Sequence, residues 1–422
     1  MFADLHIHST ASDGTDAPAI LLEKILQCGI KIFALTDHDT ISGVEKILPL
    51  IPENIFFING VEFSCKTERD KKCHILAYFY DAANADFQKV LQQGKALHKE
   101  KLSRRLNFLS ELYKINFSEN DIAEISKNEV VGKPHIVNFF YEKFGVDKEK
   151  IYHDLKNFKI DSRLDARAVI DAVKSAGGVT VWAHPLGGEG EKILAQEEFL
   201  SRLDELKNFG INGLECYYSR YNAAQEKFLA ETAQKNNLLI SGGSDYHGAN
   251  KNISLGTLGA DFPAVKISQL TILQKIFEYH KNCRVRKAFQ VAKKMHAGQF
   301  DKGGADYIFH PVTVALSCAN DSEIITALLH DVAEDTSLTV ENLREEINLT
   351  AEEFQALKLL THDKNISYFD YIKKIKSNAL ATAVKIADLK NNSDLSRILN
   401  PAEKDFSRVE KYKKALEILT QV

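Results

Sequence analysis

The chain has 422 residues with a formal charge of −4, 44% hydrophobic and 27% charged residues, 8 Pro and 22 Gly, which excludes disordered, collagen-like and low-complexity classes. Its length suits two domains, or one large barrel and a smaller partner. The near-even acid–base count offers no basic face for duplex DNA. Six scattered cysteines without a C-x-x-C pair suggest neither a disulfide framework nor a thiolate zinc site, and no run nears the roughly 18 apolar residues of a membrane span, so a cytoplasmic location is expected.

In chain order, strand-like runs are expected at Phe2 to Ile7, Lys31 to Thr36, Ile55 to Phe63, His74 to Tyr80, Val179 to Ala183, Gly213 to Tyr218 and Leu238 to Gly242. Their alternation with helical stretches reads as a parallel βα array. Polar clusters follow nearly every run, and a barrel spreads its site over many strand ends whereas an open sheet gathers it at one switch point. The expected fold is therefore α/β, a closed or nearly closed (β/α) barrel of seven strands. Between the fourth and fifth runs, residues 85–165 form an insertion with helical spacing of Leu102, Leu106, Leu109 and Leu112. After Arg284 strand signals disappear. We place a boundary near Asn282, giving a barrel domain over 1–283 and a separate all-α domain over 284–422.

His6 and His8 alternate at a strand end, so the pleat points both to one side. Asp13 follows in a short loop, Asp37-His38-Asp39 ends the second run and Glu62 the third. His74, His184, Asp245 and His247 complete the set. Imidazoles and carboxylates without thiolates suit zinc, manganese or iron, and their number exceeds the needs of one ion, so two or three metals are expected. A lone histidine is more often an ordinary residue than a ligand; ligand types concurring at several strand ends overturn that reading. His98, His153, His280 and His362 lie in helical, charged surroundings and read as surface residues.

A second set lies in Ala327 to Asp335, where helical spacing sets His330 with Glu334 and Asp331 with Asp335 one turn apart on a shared face. With His310 upstream and Asp388 downstream, these make a mononuclear site suited to a manganese-like ion with open positions.

The runs Asp4-Leu5-His6-Ile7-His8-Ser9, Thr36-Asp37-His38-Asp39, Gly60-Val61-Glu62 and Gly243-Ser244-Asp245-Tyr246-His247 resemble the polymerase and histidinol phosphatase (PHP) family over about residues 1–280. The resemblance implies a distorted seven-stranded (β/α) barrel with His6, His8, Glu62 and Asp245 on one metal and Asp13, His38 and His247 on a second, with Glu62 bridging to a third held by His74 and His184. Gly132-Lys133-Pro134-His135 and the insertion look like the branch that dephosphorylates nucleotides, including 3′,5′-bisphosphates and 5′ ends of short RNA. Lys133, His135, Arg104 and Arg105 are candidate phosphate contacts, His135 also a candidate catalytic group.

From about residue 288, His296-Ala297-Gly298-Gln299, Tyr307 to Pro311, His330 to Thr336 and Val384 to Asp388 resemble the HD superfamily branch that removes the 3′-pyrophosphate of (p)ppGpp. This implies His310, His330, Asp331 and Asp388 as ligands, Glu334 and Asp335 handling the attacking water, and Lys302 beside the purine. Asp301 and Asn391 depart from that branch's usual residues. The expectation is a bifunctional phosphohydrolase acting on small nucleotides, with short RNA a further substrate and neither duplex DNA nor membrane a partner. The alternatives are a PHP phosphatase regulated by an HD nucleotide sensor and a histidinol-phosphate-type phosphatase.

Overall fold

The computed structural model describes residues 2–69, 71–126, 130–158, 160–188, 191–257, 267–302, 304–363, 365–395 and 402–421. They divide into two compact units, Met1–Ile272 and Leu273–Val422. No helix among the described residues is long and apolar enough to cross a membrane.

The first unit is built on strands β1 (Phe2–Asp4), β2 (Ile30–Leu35), β3 (Phe56–Lys66), β4 (Lys72–Tyr78), β5 (Leu164–Asp165), β6 (Val179–Ala183), β7 (Gly213–Tyr218) and β8 (Leu239–Gly243). The sheet runs β1-β2-β3-β4-β6-β7-β8, with the two-residue β5 added beside β3. Its ends meet just past β1 and β8. Leu5 N–H donates to Gly242 O at 3.2 Å, Asp245 N–H to His6 O at 2.8 Å and His8 N–H to Tyr246 O at 2.9 Å, and these bonds nearly close the barrel. Gly243 lies at this seam, where a Cβ would come 2.3 Å from His6 Cβ. Asp4 ties the seam by accepting from Ser244 N–H and Gly256 N–H, and burial pushes its carboxyl up to about 6.

The array is not wholly parallel, contrary to the sequence expectation. β4 runs antiparallel to both β3 and β6; Lys66 and Lys72 are too close in sequence for the crossover that a parallel β3–β4 pair requires.

Helices α1 (Pro18–Gln27) and α2 (Ser42–Ile47) bury Leu21, Leu22, Ile25, Val44 and Ile47 against Ile7, Phe33 and Leu35. The insertion forms α3 (Ala85–Tyr113), α4 (Glu119–Ile125), α5 (Lys133–Phe144) and α6 (Lys148–Asn157). It has its own core of Leu102, Leu106, Leu109, Ile136, Phe140, Ile151 and Leu155. Leu112, expected on that face, is 47% exposed, because the packed face of α3 continues from Leu109 to Tyr113, four residues on, rather than to Leu112. Helices α7 (Ala166–Ser175), α8 (Gln196–Phe209) and α9 (Ala223–Lys235) connect the remaining strands.

The second unit is helical: α10 (Lys275–Glu278), α11 (Cys283–Met295), α12 (Phe309–Ala315), α13 (Asp321–Leu329), α14 (Val332–Asp335), α15 (Val340–Ile347), α16 (Ala351–Leu360), α17 (Tyr368–Ile375), α18 (Ala379–Asn392) and α19 (Glu403–Thr420). The helix expected to run through His330 and Asp331 stops at Leu329 and restarts at Val332. His330 Nδ1 turns back to donate to Ala327 O at 2.7 Å, and its other nitrogen is thereby aimed inward.

Candidate metal centres

The barrel's residues converge on Glu62, on β3. Its Oε2 lies 3.1 Å from His6 Nε2, 3.2 Å from His8 Nε2 and 3.3 Å from His38 Nδ1. Its Oε1 lies 2.8 Å from His74 Nδ1 and 3.1 Å from His184 Nε2. One carboxylate thus addresses two clusters at once. Asp245 Oδ1 stands 3.5 and 3.4 Å from His6 and His8 Nε2. On the far side, Asp13 Oδ1 is 3.2 Å from His247 Nε2 and 4.0 Å from His38 Nε2. Ligand atoms of His6, His8, Glu62 and Asp245 fall within mutual reach of one ion, as do those of His8, Asp13, His38 and His247, and of His38, Glu62 and His74.

Neighbouring groups hold this arrangement in place. Glu215, in the apolar run of β7, takes His6 Nδ1 at 2.9 Å and His184 N–H at 2.6 Å, leaving His6 Nε2 for the cluster. Asp37 accepts from Ser9 N–H, Ser9 Oγ and Ser12 Oγ, which fastens the loop carrying Asp13. Tyr218 Oη and Lys251 Nζ engage Asp245 Oδ2 at 3.0 and 2.6 Å. Asp39, His184 and Asp245 have φ of 50°, 27° and 56°, left-handed conformations that cost non-glycine residues energy and concentrate at functional sites.

Burial pushes the Glu62 and Asp13 carboxyls up, yet the surrounding imidazoles outweigh it and hold both well below the usual range. Burial drives His38 down to about 3, favouring the neutral, ligating form. Burial also opposes charge on His8, but the neighbouring carboxylates of Asp245 and Glu62 prevail and push it up to about 9. His8 Nε2, Asp13 Oδ1 and His38 Nδ1 are buried without a hydrogen-bond partner. Buried polar atoms left unpaired at the centre of a histidine–carboxylate cluster fit divalent cations.

A cavity of about 640 Å³ opens from His38 and His74 beneath the insertion, and Lys101, Arg105 and Lys133 reach its wall. Burial lowers all three, Lys101 to about 8 and Arg105 to about 10. Confined cations of this kind favour an anionic occupant. Two expectations need correction. Arg104 points away from the cavity and pairs with Glu100 on an exposed helix face, since it follows the buried face of α3 by a non-helical step. His98 is not a surface residue: it lines the cavity and bonds Asp39 at 2.6 Å. His135 Nδ1 accepts Gly132 N–H at 3.0 Å, capping α5.

In the helical unit, His310, His330 and Asp388 bring ligand atoms within mutual reach. Asp331 lies 3.3 and 3.2 Å from the Nε2 atoms of His310 and His330 and accepts from Tyr307 Oη at 2.8 Å. His310 Nδ1 is engaged by Asn391 Oδ1 at 2.8 Å, and Lys385 Nζ lies 2.8 Å from Asp388 Oδ2. His330 Nε2 is buried without a hydrogen-bond partner. Glu334 and Asp335 are exposed beside this group. Glu334 accepts His362 N–H, and Asp335, raised by burial and by Asp331, accepts Tyr307 Oη at 3.5 Å. Lys302 is exposed and 3.5 Å from Asp405. His280 and His362, expected on the surface, are partly buried, the one against Asp321 and the other on the Tyr371 ring; His153 is exposed.

Sequence reasoning missed Glu215, His98 and Lys251. For Glu215 there was a signal, a lone carboxylate in an otherwise apolar strand; nothing marks Lys251.

Known proteins resemble both parts of the chain. The family model described as PHP domain matches residues 4–133. A 5′-3′ exoribonuclease of Haemophilus influenzae is 29% identical over 257 residues, covering 58% of this chain and 89% of that protein. A crystal structure from Bifidobacterium adolescentis, assigned to the metal-dependent phosphoesterases, aligns with a TM-score of 0.52 and 27% identity over 62% of this chain and 93% of its own. The guanosine-3′,5′-bis(diphosphate) 3′-pyrophosphohydrolase of Aquifex aeolicus is 46% identical over 65 residues, 14% of this chain and 9% of that protein. The chain therefore matches the PHP domain over residues 4–133, and a short C-terminal stretch is similar to a guanosine-3′,5′-bis(diphosphate) 3′-pyrophosphohydrolase.

Proposed function

We propose that the chain is a metal-dependent phosphohydrolase with two sites. The PHP unit hydrolyses phosphomonoesters of nucleotides, such as nucleoside 3′,5′-bisphosphates or the 5′ ends of short RNA, and the HD unit removes the 3′-pyrophosphate of (p)ppGpp-like nucleotides. The observation that carries the first part is the placing of both Glu62 oxygens between two sets of buried histidines, with a cationic cavity alongside.

In this reading His6, His8, Glu62 and Asp245 would hold one divalent ion, Asp13, His38 and His247 a second, and His74 and His184 with Glu62 a third, of manganese, iron or zinc. Such ions supply a hydroxide nucleophile near neutral pH and charge that offsets the phosphate oxygens. Glu215 and Asp37 keep the ligands oriented, and Lys101, Arg105 and Lys133 draw the anionic substrate into the cavity and align it. In the HD unit His310, His330, Asp331 and Asp388 would hold one manganese-like ion, with Glu334 and Asp335 orienting the water.

The test uses purified full-length protein with Mn²⁺, supplied with a nucleoside 3′,5′-bisphosphate, a 5′-phosphorylated short oligoribonucleotide and ppGpp. Release of phosphate from the first or shortening of the second supports the PHP reading, and release of pyrophosphate from ppGpp supports the HD reading. Tight binding of ppGpp without cleavage would favour the sensor role for the HD unit, which the departures at Asp301 and Asn391 motivate.

A further inference from the structure

The hydrolysis proposed for the barrel leaves one buried pair unused. His98, on α3, places Nε2 2.6 Å from Asp39 Oδ2. Asp39 is 1% exposed and held at φ 50°. Its Oδ1 accepts Ser64 N–H at 3.2 Å, and its own N–H donates to Glu62 O at 3.0 Å. Gly94, one turn before His98, lets α3 approach: a Cβ there would come 3.2 Å from Asp39. A left-handed aspartate persists only where its surroundings hold it, and here they hold its carboxylate against one ring nitrogen. A carboxylate in this position fixes the ring's orientation, as in a carboxylate–histidine pair that passes a proton.

With Nε2 committed to Asp39, Nδ1 is the ring atom left for a molecule in the cavity, whose wall His98 shares with His38, His74, Lys101 and Arg105. The reaction has a need at that place. The ester oxygen of a nucleotide leaves as an alkoxide, a poor leaving group unless it receives a proton as its bond to phosphorus breaks.

We propose that His98, oriented by Asp39, protonates the leaving oxygen. The oxygen of water bonds to phosphorus and its proton passes to solvent. The ester P–O bond breaks with its electron pair on the leaving oxygen, which takes the Nδ1 proton, and solvent reprotonates the ring. The inference rests on phosphomonoester hydrolysis being the barrel's reaction.

The test compares kcat/KM on a nucleoside 3′,5′-bisphosphate with that on p-nitrophenyl phosphate, whose leaving group is stable without a proton. Wild type, His98→Ala and His98→Gln are measured, each with its bound metal. General acid catalysis contributes about 10²-fold or more. Both variants should therefore lose about 100-fold on the nucleotide while staying within about 5-fold of wild type on the aryl ester. The aryl ester also reports that the variant is folded and loaded. Equal losses on both substrates, or recovery of nucleotide hydrolysis by His98→Gln, would overturn the proposal and reduce His98 to an anchor for α3. If the wild type hydrolyses neither ester, the phosphomonoesterase reading falls first and takes this inference with it.

Discussion

Glu62 concentrates the chemistry of the barrel into one side chain. Each oxygen faces a different group of imidazoles, so removing one negative oxygen loosens two clusters and leaves neighbouring cations facing each other's repulsion. Glu62→Gln should therefore abolish phosphomonoesterase activity and lower bound metal by more than one ion per chain, read by elemental analysis of the folded variant; full activity with full metal would contradict the bridging role. A second expectation concerns Lys101. Burial, helped by Arg105, lowers its ammonium to about 8. A lysine is charged below its pKa, so its attraction for an anionic substrate is complete well below pH 8 and lost as pH rises through that value. kcat/KM should fall across that limb, and Lys101→Met should lower kcat/KM at neutral pH and remove the limb. The histidine and carboxylate ligands were legible because they recur at strand ends in short polar motifs. His98 was not, because a histidine followed by Lys99 and Glu100 in a long polar helix shows nothing of the loop folded against it.

At the scale of elements, most strands were legible because apolar runs such as Val179–Ala183 and Gly213–Tyr218 are buried along their whole length. Strand direction was not, since periodicity carries no sign; the antiparallel placing of β4 follows from the length of its connection to β3. The barrel's closure depends on a glycine. At the seam, a methyl group on Gly243 would meet His6 Cβ at 2.3 Å and His6 N at 2.5 Å, both on the strand end that carries a proposed ligand. Gly243→Ala should cost about 1–3 kcal/mol or more by overpacking, visible as a lower Tm and a reduced metal content. An unchanged Tm would mean that the seam yields more easily than close packing allows. The break between α13 and α14 was likewise hidden, because the residue spacing from Ala327 to Asp335 is compatible with one helix, and the bond from His330 to Ala327 O decides otherwise.

At the scale of the molecule, the two candidate centres lie in different compact units, with the barrel ligands between His6 and His247 and the helical ones between His310 and Asp388. Loss of one site should leave the other nearly intact. Asp388→Asn should silence pyrophosphate release from ppGpp by orders of magnitude and leave bisphosphate hydrolysis within a few fold of wild type; a parallel loss of both would show that the sites are coupled. The most direct measurement is the metal content of gently purified full-length protein, wild type beside Glu62→Gln and Asp388→Asn. The ligand groups predict about three to four divalent ions per wild-type chain, more than one fewer in Glu62→Gln and one fewer in Asp388→Asn. A single ion per wild-type chain, or a content that neither substitution changes after loading with Mn²⁺, Fe²⁺ or Zn²⁺, would contradict two separate metal centres.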